Sequence, residues 1–464
     1  MEWLSGLDAS FLYIETETQP VHVCSILELD TSTMPDGYTF DRLHDELALR
    51  IKALPQFREK LANTQLNLDH PVWVEDNHFQ LANHLYRLAL PSPGGRAELA
   101  ELCGHIASLP LDRSKPLWEM WVIEPPADAH QHSRLAVMTK VHHAAVDGVT
   151  GASLLVQLCS AEPHAPPPDP VEGPGDASRL EIATSGLARF AARPLQLASV
   201  LPTTVSTVVK TLGRARRGVA MAAPFAAPPT PFNAEVTTNR NVAFTALDLA
   251  AIKSVKNRFH VTVNDVVMAL CAGVLRRFLL DHGELPHTPL VAMVPVSVHG
   301  QSNRPGRNQL SGMFCRLETH IDNPAERLRA TARVDAAAKE HNSAIGPTLL
   351  QDWTQVAAHA VFGFAMRLVA SAPLIGKPVH NLIISNVPGP QTTMYFLGAQ
   401  VKAVYPLGPL FHGCGLDITV MSLDGDLDVG LISCAELIPD LWELADNFPR
   451  ELDELMGSRA LAGV

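Results

Sequence analysis

An α/β fold of two halves joined by a long connector is what this sequence predicts, and three observations predict it. The chain has 464 residues, too many for one ordinary core and a natural length for about two domains. Its composition, 47% hydrophobic and 18% charged with aromatics at only 6%, suits an α/β enzyme and not a disordered or fibrous chain. Short apolar runs with strand character alternate with helical spacing on both sides of a proline-rich interruption.

Taken in order, "LAVMTKV" (Leu135 to Val141) reads as a buried strand, and from Gly148 "GVTGASLLVQLCS" changes to helical spacing with Leu154, Leu155 and Leu158 on one side. "AEPHAPPPDPVEGPGD" (Ala161 to Asp176) holds too many prolines for a helix or a central strand and starts the connector. From Ile182 to Asn233 the chain carries Arg189, Arg193, Lys210, Arg214, Arg216 and Arg217 and no acid. Such a segment fits an anionic lipid surface, and it fits equally a helical linker with a solvated basic face. The second half opens with "NVAFTALDL" as a strand and "LAAIKSVKNRF" as a helix. In "VTVNDVVMALCAGVLRRFLLDHG" Asn264 or Asp265 can cap a helix that Gly283 ends. "PLVAMVPVSV" and "HNLIISNV" read as strands, and "DITVMSLDGDLDVGLISC" as a hairpin turning at Asp424 and Gly425. The expected division is therefore 1–160, a connector 161–235, and 236–464.

Several function classes are disfavoured at this level. A net charge of −12 removes the long-range attraction on which non-specific nucleic-acid binding depends, so no nucleic-acid partner is expected. The seven cysteines are scattered, without a C-x-x-C pair, which suits reduced thiols. "MEWLSGLDASFLYIETE" shows no basic segment leading into an apolar run, so the expected location is cytoplasmic. "VAAHAVFGFAMRLVASAPLI" (Val356 to Ile375) approaches spanning length, but His359, Arg367 and Pro373 favour a buried or interfacial helix.

The informative stretch is "KVHHAAVDGVTG" (Lys140 to Gly151), where the strand hands over to the helical spacing. Sheet ends of this kind are where α/β folds expose reactive groups. Adjacent residues there point to opposite sides, so one of His142 and His143 can face a cavity while the other packs behind it. Imidazole is the side chain best matched to taking a proton from a hydroxyl near neutral pH. Asp147 can fix the ring or brace the loop, and Gly148 lets the chain reverse without a Cβ clash. Satisfied core histidines and metal sites compete with catalysis for such a pair. Zinc is the weaker rival, because no third ligand has suitable spacing, and no metal is expected.

"HHAAVDG" matches the HHxxxDG signature of acyl-coenzyme A dependent acyltransferases that share the chloramphenicol acetyltransferase fold. "LSGLDASFLYIET" (Leu4 to Thr16), "KPLWEMWVIEP" (Lys115 to Pro125), "VTVNDVVMA" (Val261 to Ala269), "VPVSVH" (Val294 to His299) and "SNVPGP" (Ser385 to Pro390) follow in order over nearly the full length. Together they resemble the bacterial wax ester synthase/diacylglycerol acyltransferase family.

That resemblance implies two chloramphenicol-acetyltransferase-like domains with mixed sheets and an active-site channel between them. It implies esterification of diacylglycerol, or of a long-chain alcohol, by acyl-CoA as co-substrate with no further cofactor, while the basic connector fits a peripheral place at a membrane or lipid droplet surface. Related chemistry on a polyketide or carrier-bound acceptor, and lipid binding without turnover, are the rival readings. Carried over by position, His143 is the base, His142 its structural partner and Asp147 the residue that holds the loop. Asn264 is the candidate oxyanion donor at a helix N-terminus, a plain helix cap being its competing role. Gly148, Trp118 and Glu15 are the candidate substrate contacts, although core packing for a Trp and solvent for a Glu are the commoner fates. "SNVPGP" reads as a rigid turn. Two departures bear on substrate preference: members often carry arginine where His299 stands, and the glycine-asparagine pair is split in "GRNQLS" (Gly306 to Ser311).

Overall fold

The structure is a computed structural model that describes residues 1–34, 36–63, 69–126, 134–146, 157–173, 178, 180–191, 221–223, 225–297, 307–345 and 378–458. The first half supplies strands β1 (Glu2–Trp3), β2 (His22–Asp30), β3 (Glu59–Ala62), β4 (Val72–Glu75), β5 (Leu85–Ala89), β6 (Trp118–Glu124), β7 (Arg134–His142) and β8 (Cys159–Ser160). The second half supplies β9 (Arg240–Asp248), β10 (Leu290–Ser297), β11 (Leu310–Leu317), β12 (Leu382–Val387), β13 (Tyr395–Phe396), β14 (Ala399–Leu407), β15 (Leu416–Leu423) and β16 (Asp426–Cys434).

They assemble into a small sheet, β1-β4-β3, and two large mixed sheets, β5-β6-β7-β2-β14-β13-β8 and β11-β10-β12-β15-β16-β9. β14 and β13 belong by position to the second half but lie in the first half's sheet, where β14 runs antiparallel to β2 from Gln400↔Asp30 to Leu407↔Cys24. The expected boundary 236–464 is therefore not a boundary of sheets. β2 is paired on its other side with β7, and its free edge offers unpaired N–H and C=O groups that β14 satisfies.

Alternation along the strands divides the faces. In the second half's sheet Ala292, Val294, Leu382, Ile384, Leu416, Ile418 and Val420 join one core with the helices Leu249–Phe259, Val263–Asp281 and Asn447–Gly457. Their odd-numbered neighbours Met293, Pro295, Ile383, Ser385, Asp417, Thr419 and Met421 turn the other way, toward the first half. In the first half's sheet Cys24, Ile26, Ala136 and Met138 pack on the helix Arg96–Ser108. The opposite face packs on the helix Phe40–Ile51 through Leu27, Leu29, Val122 and Val137, and leaves the far end of that face open.

Most second-half elements fall where their patterns place them, including the hairpin, with Asp424 at φ 42° and Gly425 at φ 99° in the left-handed region its turn requires. Two expectations change. The helix Val263–Asp281 is capped by Thr262, whose hydroxyl accepts from the Asp265 N–H while the Asp265 carboxylate accepts from the Thr262 N–H; Asn264 stands inside the helix and is not its cap. Helical spacing after the histidine motif does not run to Ser160: residues 157–158 are helical, and Cys159–Ser160 is a strand held by β13.

The connector is no free tether at its start. Arg50 donates to the Ala165 carbonyl at 2.9 Å, Val171 N–H to the Lys52 carbonyl at 3.0 Å, and Arg58 to the Val171 carbonyl at 2.9 Å. Residues 180–191 are helical and tie down through buried Ile182 and an Arg189–Asp69 ion pair at 2.6 Å. Arg193 to Arg217 and the apolar stretch 356–375 lie outside the described residues. Among the described residues no helix is long and apolar enough to cross a membrane.

Candidate active site

β7 ends on His142, and the two motif histidines part company there. His142 is fully buried on the side of the helix Arg96–Ser108. Its Nδ1 accepts the Ala144 N–H at 3.0 Å, so in its neutral form the proton sits on Nε2, which faces Glu15 Oε1 at 3.4 Å. The same Glu15 oxygen lies 3.3 Å from Nε2 of His22, the residue opposite His142 in the β2–β7 ladder. Arg113 closes the far side, donating to Glu15 Oε2 through Nε at 2.8 Å. Burial acts to raise the Glu15 pKa, but contacts with His142 and His22 and the Arg113 charge prevail and hold it far below the usual carboxylate range. Burial lowers both imidazoles, against the pull of Glu15; His22 drops to about 4. The compartment is thus a carboxylate between two neutral histidines and a guanidinium. Glu15, expected to touch substrate, does not line the cavity described below and instead braces the motif from behind.

His143 faces the other way. Its ring stacks on Phe11 with centroids 4.1 Å apart, its N–H donates to the Val21 carbonyl at 2.9 Å, and its carbonyl accepts from Asn308 Nδ2 at 2.7 Å. Asn308 is itself fixed by Asp8, whose Oδ1 accepts the Asn308 N–H and Nδ2 at 2.8 Å each while Oδ2 accepts the Arg307 N–H at 3.1 Å. Arg307 adds ion pairs to Glu2 and Glu59 and stacks over Trp73. The second half thereby reaches into the first and fixes the backbone that carries His143. Nothing in the spacing of "GRNQLS" signals this, because its partner Asp8 lies 300 residues away.

A cavity of about 460 Å³ opens between the halves, and His143 is part of its wall. Leu7, Phe11, Val23, Trp118, Met120, Val141 and Leu407 form one side, and Met293, Pro295, Ile383, Val387 and Met421 the other. Its polar lining is Ser25 and Thr139, which are paired across β2 and β7, and Glu119, which is held by Lys140 at 2.8 Å, with Ser297, Ser311, Ser385, Asn386, Asp417 and Thr419 opposite. Trp118 lies on this wall, held by its Nε1–H to the Phe57 carbonyl at 2.8 Å and by a stack on His84 at 4.7 Å.

Asn264 is not in the wall. Its Oδ1 accepts from Asn386 Nδ2 at 3.3 Å and its amide nitrogen lies 3.5 Å from Asp335 Oδ2. Asn386 of "SNVPGP" does reach the cavity, so the motif read as a turn contributes a polar side chain and Asn264 stands behind it. Asp147, Gly148 and His299 lie outside the described residues. Among the described residues no group of three His, Cys, Asp or Glu is placed to hold a metal ion.

Residues 4–267 match the wax ester synthase/diacylglycerol acyltransferase catalytic domain, and residues 307–456 the C-terminal domain of the same family. A Mycobacterium tuberculosis protein whose name places it among the diacylglycerol O-acyltransferases is 59% identical over 456 residues, 98% of this chain and 90% of that one. A Mycobacterium bovis protein with the same naming is 34% identical over 469 residues, 98% and 99% of the two chains. The wax ester synthase/diacylglycerol acyltransferase of Marinobacter aquaeolei superposes with a TM-score of 0.71 at 29% identity, covering 99% of this chain and 100% of that one. A condensation domain of the calcium-dependent antibiotic synthetase, at 15% identity and a TM-score of 0.59 over 98% and 96% of the chains, shares the fold. With both of its domain models matched in order, and a buried histidine backing a second one that opens on a cavity between the halves, the chain belongs to the wax ester synthase/diacylglycerol acyltransferase family.

Proposed function

We propose that this acyltransferase esterifies diacylglycerol with the acyl group of acyl-CoA, and accepts long-chain alcohols by the same route, with His143 as general base. The observation that carries the reading is the contrast within one dipeptide: His143 opens on a largely apolar cavity while His142 is sealed behind it. The imidazole takes the proton of the acceptor hydroxyl as its oxygen attacks the thioester carbonyl. When the intermediate collapses, the carbon–sulfur bond breaks and the imidazolium returns the proton to the departing thiolate. Both substrates must be present together, so holding them in line is a large part of the rate. Asn386 is the described amide best situated to support the oxyanion, with Asn264 positioning it. Asp147 and Gly148 keep the roles implied by the motif, bracing the loop and allowing its reversal.

Incubation of the purified chain with palmitoyl-CoA and diolein or hexadecanol tests this. Ester forms, and His143→Ala lowers kcat by about a hundredfold or more; unchanged turnover in that variant removes the base. We also place the chain at a lipid surface, on the strength of Leu180, Leu187 and Phe190, which are 74%, 57% and 43% exposed on the helical segment 180–191. Leu187→Glu should weaken flotation with anionic vesicles, and equal flotation removes that surface.

A further inference from the structure

Asp417 is an acid in an apolar wall. It lies on β15 beside Ile383 of β12, and Thr419 and Met421 continue the same face of the strand along the cavity. Its residue is only 1% exposed. Oδ1 accepts the Gly408 N–H at 2.9 Å and the Thr419 hydroxyl at 2.8 Å, and among the described residues no donor meets Oδ2. A Cβ at position 408 would stand 2.5 Å from Oδ2, so the carboxyl occupies space that glycine alone leaves for it. Among the described residues no cation pairs with it, and burial pushes its pKa up to about 7, against the pull of those two hydrogen bonds. A buried carboxyl with one idle oxygen costs stability unless something else meets it.

Resting on the diacylglycerol reading above, we propose that Asp417 is a specificity residue whose carboxyl, in its protonated form, donates from Oδ2 to an ester carbonyl of the acceptor. The geometry suits that occupant. Gly408 follows β14, which lies two strands from β7 across β2, placing the carboxyl on the order of 10 Å from His143 at about 4.8 Å per strand. In 1,2-diacylglycerol the nearer ester carbonyl oxygen is about five covalent bonds from the free hydroxyl, roughly 6 Å when extended at about 1.2 Å of reach per bond. Hydrogen bonds of about 2.8 Å at each end complete the span. A plain long-chain alcohol has a hydroxyl for His143 and nothing for Asp417.

The test compares 1,2-dioleoylglycerol with 1,2-di-O-oleylglycerol, a diether of the same shape that lacks both carbonyls, using palmitoyl-CoA as donor. Wild type should favour the ester acceptor by about tenfold in kcat/KM. Asp417→Asn keeps an N–H donor and should retain the preference, whereas Asp417→Leu should bring the ratio close to one. The ratio is read within one preparation, so partial loss of folded enzyme lowers both rates and leaves it unmoved. A wild-type ratio near one, or a Leu variant that keeps the preference, overturns the assignment while leaving acyl transfer intact. Wild type inactive on both acceptors overturns the diacylglycerol reading and this assignment with it.

Discussion

The compartment around His142 and the cavity in front of His143 are one residue apart and physically opposite. Behind the strand a carboxylate and two neutral imidazoles are packed against one another, and the guanidinium of the partly exposed Arg113 caps them. In front, one imidazole stacks on a phenyl ring at the edge of a space walled by leucine, methionine, proline and tryptophan. The same type of side chain is sealed on one side and open to the cavity on the other, and the difference lies wholly in what surrounds it. The polar box uses its charges to hold a turn rigid; the cavity is walled mostly by apolar side chains, a setting in which the proposed proton exchange would take place beside long acyl chains.

The largest effect that would break this comparison comes from exchanging the roles. His143→Ala should abolish most turnover with an unfolding midpoint close to wild type, while His142→Ala should lower the midpoint and affect kcat only through the folded fraction. If removing His142 costs as much kcat at equal folding, the division of labour is wrong. Next comes Glu15→Gln, which removes the charge shared by His22, His142 and Arg113. Loss of a buried charge partner should destabilise by about 2 kcal/mol in denaturant titration, with the KM for acyl-CoA unchanged; a raised KM instead would return Glu15 to the substrate.

A smaller change is expected at Asn308. Asn308→Ala removes the donor to the His143 carbonyl and should reduce kcat about tenfold with little change in either KM, since it displaces the base without touching substrate. Unaltered kcat would show that Phe11 and Val21 hold His143 unaided. The mildest effect is in pH. His22 titrates near 6.5 when unfolded and near 4 when buried, so the unfolded chain binds more protons between those values. Stability should therefore fall as pH drops from about 6.5 toward 4. His22→Gln should flatten that part of the curve, and an unaltered slope would mean that the box does not govern acid sensitivity.

Much of this was legible without coordinates. Adjacency at the end of "LAVMTKV" put the two histidines on opposite faces, and the resemblance made Trp118, which lines the cavity, a candidate substrate contact. What could not be read were pairings across distance. Asn264 resembled a cap because it opens a helix, yet the neighbouring Thr262 and Asp265 satisfy each other and leave Asn264 to Asn386. Glu15 resembled a surface acid or a substrate contact until His22, Arg113 and His142 converged on it from other elements. Asp8 and Asn308, and Asp417 over Gly408, depend on contacts that no local pattern encodes.

By itself the order of residues determined the strand that ends at the histidine pair and most strands and helices of the second half, because period and turn chemistry act over a few neighbours. Only the tertiary structure decided which sheet received β14, which acid went behind the motif and which faced the cavity. Open strand edges and buried charges are satisfied by whatever the folded chain brings within hydrogen-bond reach, and that reach is measured in space and not along the backbone.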